Sequence, residues 1–384
     1  MSRWPRVALG EILQRSDETA LLDADREYHE ITIKIWGKGI VSRGKVKGSD
    51  VVSQRRFVRS NQLVLSKIDA RHGAIGLVPK ELDGAIVSND FPSFIVDENQ
   101  VEPAFLGWLV RSGRFVELCK ASSEGTTNRV RIKEDRFLSQ EIAFPIIFEQ
   151  RTIVTRLNAV ADKARQVEAK LDEIEADAER LLAIRFREII EGAEWRTMAE
   201  VAPLVRREIE VDLEGGYPEL GIRSFGKGTF HKPPLAGADV GSKRLFSIEP
   251  GDLLFSNVFA WEGAIAVAKH QDVGRFGSHR FISCVAYPEM VSHEFLRYYF
   301  LTPEGLEKIG EASPGGAGRN RTLGLEKLMA LQVPVPKLAK QQAFDNLQTK
   351  LAEMKAKHAE TRQSLKALLP SMLEQIFSTS SQET

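Results

Sequence analysis

From Glu149 to Glu188 the apolar residues fall at Ile153, Leu157, Val160, Ala164, Val167, Leu171, Ile174, Ala178 and Leu181, in alternating steps of four and three. That spacing is the a/d seam of a coiled coil, and it constrains the chain more than any other stretch. Charges of both signs fill the other faces, among them Glu168, Lys170, Asp172, Glu173, Glu175, Asp177 and Arg180. A seam this narrow cannot bury itself, so the helix needs a partner helix. The same chain holds one. Between Gln341 and Phe377 the seam positions are Phe344, Leu347, Leu351, Met354, His358, Thr361, Leu365, Leu368 and Met372. His358 and Thr361 set a polar pair on it, a device that can fix register at some cost in stability.

The two runs belong to a duplication. Gln341 follows Gln150 by 191 positions, and Phe377 follows Phe186 by the same 191. What precedes each run also repeats. Trp195 answers Trp4, Tyr217 answers Tyr28, and Phe225-Gly-Lys-Gly answers Trp36-Gly-Lys-Gly. Leu254-Phe-Ser-Asn257 answers Val64-Leu-Ser-Lys67, Gly263-Ala-Ile answers Gly73-Ala-Ile, and Pro336 answers Pro145. Framework positions agree while loop side chains differ, so two copies of one scaffold carry two different surfaces. In each copy, alternating segments such as Tyr28 to Trp36 read as strands, and Phe105 to Cys119 has helical spacing. Ser122 to Arg131 reads as a polar loop. The expected fold is α+β: two similar globular α/β domains separated by two long helices, which form an antiparallel intramolecular coiled coil with pseudo-two-fold symmetry. The boundaries read as a first domain 1–148, a helix 149–190, a second domain 191–340, a helix 341–378 and a disordered tail 379–384.

Composition limits the function classes. The 53 basic and 53 acidic residues cancel, so any nucleic-acid reading must rest on local charge. Cys119 and Cys284 stand alone, which gives neither zinc spacing nor a disulfide framework, and a reducing cytoplasm is the expected setting. No apolar run is long enough to cross a bilayer, and Met1 to Arg6 lacks the apolar core of a signal peptide. His-Glu-x-x-His, Gly-x-Ser-x-Gly, Gly-x-Gly-x-x-Gly and the phosphate-cradling Gly-x4-Gly-Lys motif are all missing. Gly37-Lys-Gly and Gly226-Lys-Gly therefore read as turns. Glu168-Ala-Lys170 with Asp162 upstream loosely mimics a nuclease site, but it lies on the coiled coil, where such charges form a solvated face. No chemistry of the chain's own is expected.

Three segments together carry a family resemblance: Trp4-Pro-Arg-Val-Ala-Leu-Gly-Glu-Ile; Gly251-Asp-Leu-Leu-Phe-Ser-Asn followed by Gly263-Ala-Ile-Ala; and Gly315 to Arg321 followed by Pro336 and Gln341-Gln342. With two domains alternating with two long helices, the chain resembles the specificity (S) subunit of type I restriction–modification systems over essentially its whole length. The first copy departs at Asn61-Gln62, in place of Gly-Asp, and at Gln150-Arg151, in place of Gln-Gln. The resemblance implies a non-catalytic subunit whose two target-recognition domains each read half of a bipartite, asymmetric site on double-stranded DNA. It implies two methyltransferase subunits that bind S-adenosylmethionine and methylate adenine. It also implies restriction subunits that make an ATP-dependent nuclease. S-adenosylmethionine, ATP and Mg are thus expected on partners and no cofactor on this chain. A helix of about 40 residues spans roughly 60 Å and would act as a spacer between the readers.

Candidate contacts follow from local charge and from differences between copies. Between Lys38 and Arg71 nine basic residues face two acidic ones; Lys38, Arg43, Lys45, Lys47, Lys67 and Arg71 are candidates for phosphate. The matching stretch Arg223 to Arg280 has eight against five, with Lys227 and Lys232 in the same role and Asn257 where Lys67 stands. Asn128, Arg129 and Arg131, and Arg319, Asn320 and Arg321, lie in polar loops; Arg and Asn can pair bidentately with guanine and adenine edges. Asn-Arg recurs in both copies, which suits structure or phosphate at least as well as base reading. Residues that differ between copies are better placed to read sequence: Arg71 and His72 against Trp261 and Glu262, and Asn89 and Asp90 against His279 and Arg280. Two other DNA-linked or DNA-free readings stay open, an S-like subunit of a type IIB system and a DNA-independent coiled-coil adaptor. A third is a self-sufficient enzyme.

Overall fold

The computed structural model describes residues 4–125, 130–315 and 321–378. The chain divides into two compact units, Met1–Leu171 with His358–Thr384, and Asp172–Lys357. Each holds one α/β domain and half of each long helix. The long helices are α1, Ile147–Ile190, and α2, Leu338–Ser378.

The duplication seen in sequence is repeated in sheet topology. In the first unit an antiparallel four-stranded sheet runs in the order Leu13–Ser16, Ser93–Val96, Leu63–Leu65, Ile75–Leu77. In the second the order is Leu204–Val205, Phe281–Cys284, Leu253–Ser256, Ile265–Val267. Each unit has a second sheet built on a long hairpin. In the first the hairpin is β1 (Glu27–Ile33) with β2 (Ile40–Lys47); in the second it is β3 (Gly216–Ile222) with β4 (Thr229–Ala236). The second sheet of the second unit has one strand more, Glu208–Ile209, which pairs with Leu245–Ser247. In the first unit only the isolated bridge Thr19↔Arg56 stands there. The acidic stretch from Asp17 is accordingly mostly loop. The helical stretch from Phe105 to Cys119 is two helices, Pro103–Leu109 and Gly113–Ala121, because Ser112 caps the second by accepting the Phe115 N–H.

A strand pair closes each domain where its long helix begins: Arg6–Ala8 with Glu141–Ala143, and Glu194–Thr197 with Gln332–Val335. One fully buried glutamine then ties each helix start to its domain. Gln150 donates from Nε2 to the Gln100 and Pro145 carbonyls, both at 2.8 Å, and accepts the Glu102 N–H at 2.8 Å. Gln341 donates to the Met290 and Pro336 carbonyls at 3.0 and 2.7 Å and accepts the Ser292 N–H at 2.9 Å. Three backbone groups that would otherwise be orphaned are satisfied by one amide in each copy.

The helices pair antiparallel. The first unit's core holds the start of α1 (Val154, Leu157) together with the end of α2 (Leu373, Phe377). The second unit's core holds the end of α1 (Leu182, Phe186) and the start of α2 (Phe344). Phe377 meets Phe105 edge-on at 5.6 Å, and Phe186 meets Phe344 at 5.4 Å.

The seam itself departs from the expected one. Leu157, Ala164, Leu171 and Ala178 face inward as expected, but alternate positions move on by one residue, from Val160, Val167, Ile174 and Leu181 toward Ala161, Glu168, Glu175 and Leu182. In α2 the same step takes Leu347 to Gln348, Thr361 to Arg362 and Leu368 to Leu369, while His358 stays half-buried. The cause lies at the helix ends. Gln150, Val154 and Leu157 at one end, and Leu182 and Phe186 at the other, are sunk in domain cores. A fully buried Leu or Phe is worth about 1.5–3 kcal/mol, so these anchors set the helix rotation. The line joining them runs through residues 161, 168 and 175. Glu168 and Glu175 can lie along it by burying their methylene stems. Ile174 and Leu181 are left 48% and 56% exposed.

Candidate nucleic-acid interface

In the first unit three segments meet at one loop cluster. The Lys67 N–H bonds to the Asp90 carbonyl and the Lys67 carbonyl accepts the Ile132 N–H, both at 2.8 Å. Arg131 donates from Nη1 to Asp90 Oδ1 at 2.8 Å. Next to them the 3-10 turn Ala70–His72 ends on left-handed Gly73. Arg71 is half-buried, with its Nε lacking a hydrogen-bond partner among the described residues. His72 and Asn89 are exposed.

The second unit builds the same backbone and dresses it differently. The Asn257 N–H bonds to the Arg280 carbonyl at 2.8 Å and its carbonyl accepts the Leu323 N–H at 2.8 Å. The Asn257 amide is spent on the Leu323 carbonyl at 2.9 Å, which makes this residue a strut between loops. Trp261 donates from Nε1 to the Val258 carbonyl at 2.9 Å, and the Arg321 guanidinium stacks over its ring at 5.2 Å. His279 and Arg280 are exposed. Asn128, Arg129, Arg319 and Asn320 lie outside the described residues.

The basic residues of the first copy separate into two kinds. Arg55 pairs with Glu30 at 3.3 Å, Arg56 with Asp17 at 3.1 Å, and Arg59 with Glu18. Lys67 and Arg15 converge on Glu134 at 2.9 and 3.0 Å. These cations are committed to the fold, and three of their four carboxylates, Glu30, Asp17 and Glu18, come from before Lys38, with Glu134 after Arg71. Lys38, Arg43, Lys45 and Lys47 are exposed, the last three along β2, the edge strand of its sheet. Only Lys45 among them makes an ion pair within the described residues, a loose exposed one with Glu27 at 3.8 Å that holds it weakly.

Two features escaped the sequence reading. Both hairpins carry a bulge at matching places: between the pairs Glu30↔Gly44 and Ile31↔Ser42, and between Pro218↔Pro234 and Leu220↔His231. The bulges fall at Arg43 and at Lys232, and a bulge re-aims the side chains around it. The Lys232 carbonyl accepts from Arg275 Nη1 at 3.3 Å. Second, the hairpin turns hold Trp36 and Phe225 in the left-handed region, each at φ 62°. A bulky side chain there strains the backbone by order 1–3 kcal/mol. Lys38 and Lys227 sit on these turns, and Lys227 lies 5.7 Å above the Phe225 ring.

Among the described residues no cluster of His, Cys, Asp and Glu is suited to a metal. Cys119 and Cys284 are buried, and burial pushes both thiols up to about 12, so neither is a nucleophile near neutrality. No described helix is long and apolar enough to cross a membrane.

Two duplicated α/β domains on an antiparallel pair of long helices, each with a loop cluster whose side chains differ between copies, define a class of protein that presents two unlike surfaces on one repeated scaffold, and a basic hairpin edge is present in the first copy. Residues 1–176 match the family model of the type I restriction modification DNA specificity domain. The crystal structure of the HsdS subunit from Thermoanaerobacter tengcongensis shares the fold, with a TM-score of 0.63 and 22% identity over 97% of this chain and 96% of that one. A chain from a structural study of complex assembly and conformational transition of the type I R-M system shares it too, with a TM-score of 0.68 and 23% identity over 97% of both chains. No curated protein matches the sequence. The first copy thus matches the type I restriction modification DNA specificity domain, and the whole chain shares the fold of these two solved structures.

Proposed function

We propose that the chain is the DNA-recognition subunit of a type I restriction–modification complex. Each globular domain reads one half of a bipartite site. The coiled coil sets the unread spacer and docks two adenine-methyltransferase subunits, with restriction subunits joining the complex. The chain contributes no catalytic group and works in the cytoplasm. The observation that carries this reading is the loop cluster built twice on one backbone pattern, with His72 and Asn89 exposed beside half-buried Arg71 in one copy and His279 and Arg280 exposed beside half-buried Trp261 in the other. Similar scaffolds with unlike surfaces suit an asymmetric target. Exposed Arg43, Lys45 and Lys47 supply sequence-independent contact to phosphate.

The exposed apolar residues of the helices support the docking role. Ile174, Leu181 and Ile184 stay outside the seam, and in the second unit a groove of about 190 Å³ is lined by Ala178, Leu181, Leu182, Leu347, Leu351 and Met354. Co-expression with a type I methyltransferase subunit, followed by methylome sequencing, tests the reading. The expected outcome is one two-part adenine motif with a fixed gap and two methyltransferase chains per specificity chain. A continuous motif, or a single bound methyltransferase at saturation, overturns it.

A further inference from the structure

We propose that Trp36 and Phe225 are aromatic wedges that stack into a base step of the duplex beside each half-site. This rests on the DNA-recognition reading above and adds contacts that sequence patterns do not reveal. Among the described residues three non-glycines are held at positive φ, and two are these aromatics, at the same place in the two copies. Both rings are exposed, 69% for Trp36 and 74% for Phe225, so burial does not explain their retention.

The backbone beneath each ring is built to keep it there. The Trp36 N–H bonds to the His72 carbonyl at 2.8 Å and the Gly37 N–H to the Gly73 carbonyl at 3.0 Å. Phe225 and Gly226 repeat these bonds to Glu262 and Gly263, both at 2.8 Å. A Cβ on Gly73 would come within 3.2 Å of the Trp36 nitrogen, so glycine lets the two backbones touch. A glycine at position 36 or 225 would fit this turn without strain. An aromatic held outward at such a site points to use.

The surroundings select nucleic acid. The Trp36 ring lies 6.4 Å from that of His72, which joins it to the variable loop cluster. The Lys227 ammonium lies 5.7 Å from the Phe225 ring and exposed Lys38 sits on the same turn as Trp36, cations suited to the phosphate next to a stacked base. The rings differ between copies, indole in one and phenyl in the other. A pocket on two identical protein subunits would discriminate between them, whereas every base has a π face that accepts either.

The test uses the full chain with its methyltransferase subunits and a 40-base-pair duplex carrying the methylome-derived site, with 2-aminopurine placed at successive steps. Wild-type complex should change the 2-aminopurine fluorescence at one step near each half-site. Trp36→Gly and Phe225→Gly should each abolish the change at one of the two steps and weaken binding about tenfold. The chain's thermal midpoint should hold or rise, because strain is relieved. If wild type fails to bind duplex at all, the recognition reading fails. If wild type binds while the variants bind equally and every probe is silent, the wedge fails and recognition stands. Variants that lose methyltransferase subunits at unchanged DNA affinity of the chain would make the turns a protein contact, and a fall in thermal midpoint would make the rings structural; either result overturns the proposal.

Discussion

Asp252 is almost wholly buried and receives the Arg207 guanidinium at 2.6 and 3.1 Å, and this contact holds the Arg207 pKa above its usual value. At the matching place in the first domain Gln62 donates to Ser16 Oγ at 3.3 Å. One position thus takes a charged pair in one copy and a neutral one in the other. Asp252→Asn should destabilise the second domain by about 1–3 kcal/mol, because it leaves the partly buried guanidinium only the exposed Glu249 carboxylate, 3.5 Å away. The double variant Arg207→Ser, Asp252→Gln installs the neutral pair and should recover most of that loss in denaturant unfolding. No recovery would mean that the two sites are not interchangeable. Asp345 makes a second prediction. Burial raises its pKa, the Ser292 hydroxyl pulls it back, and the nearby Glu294 carboxylate raises it further. The folded state therefore binds a proton more readily than the unfolded chain. This contribution to stability is fully present below the ordinary carboxylate range and is lost as pH rises through the raised folded value. Asp345→Asn should raise the thermal midpoint at pH 7, with the gain shrinking toward pH 4. A gain independent of pH would remove the carboxylate as its source.

At the scale of elements, the long helices were the most legible part of the chain and also the part most altered by packing. Existence, approximate length and mutual pairing follow from the periodicity of positions such as Leu157, Ala164 and Leu171. Rotation does not, because Phe186, Phe344, Leu373 and Phe377 fix it from the domain cores. The spacer role predicts that deleting seven residues from α1 and seven from α2 at facing positions keeps the seam in phase. It removes about 10 Å of helix at ~1.5 Å per residue, or about three base pairs at ~3.4 Å each. Methylome sequencing of the shortened protein should show a shorter gap between unchanged half-sites; altered half-sites with an unchanged gap would refute the spacer role. The hairpins show the opposite balance. Their strands alternate plainly in sequence, but the bulges at Arg43 and Lys232 and the left-handed Trp36 and Phe225 arise from pairing and from close approach to Gly73 and Gly263.

For the whole molecule, local sequence charge overstated the basic surface. The nine basic residues from Lys38 to Arg71 include four that pair with Glu30, Asp17, Glu18 and Glu134, all outside that stretch. The outward set is smaller and concentrated on β2. Arg43→Ala, Lys45→Ala and Lys47→Ala combined should reduce the slope of log affinity against log salt by about 2–3, at ~0.9 per phosphate contact. The weakening should be uniform across target sequences. Substitution of His72 or Trp261 should instead change which sequences are preferred. An unchanged salt slope in the triple variant would move the phosphate surface elsewhere.

Sequence alone determined the duplication, the two long helices and the absence of the catalytic motifs sought, because each is written in spacing that survives any packing arrangement. It also determined which loop positions differ between copies. Tertiary structure alone decided which face of each helix is the seam, which cations are neutralised, and how Lys67, Asp90 and Arg131 come to stand together. Those outcomes depend on partners tens of residues away, and on the burial of end anchors that outweighs any preference within the helix itself.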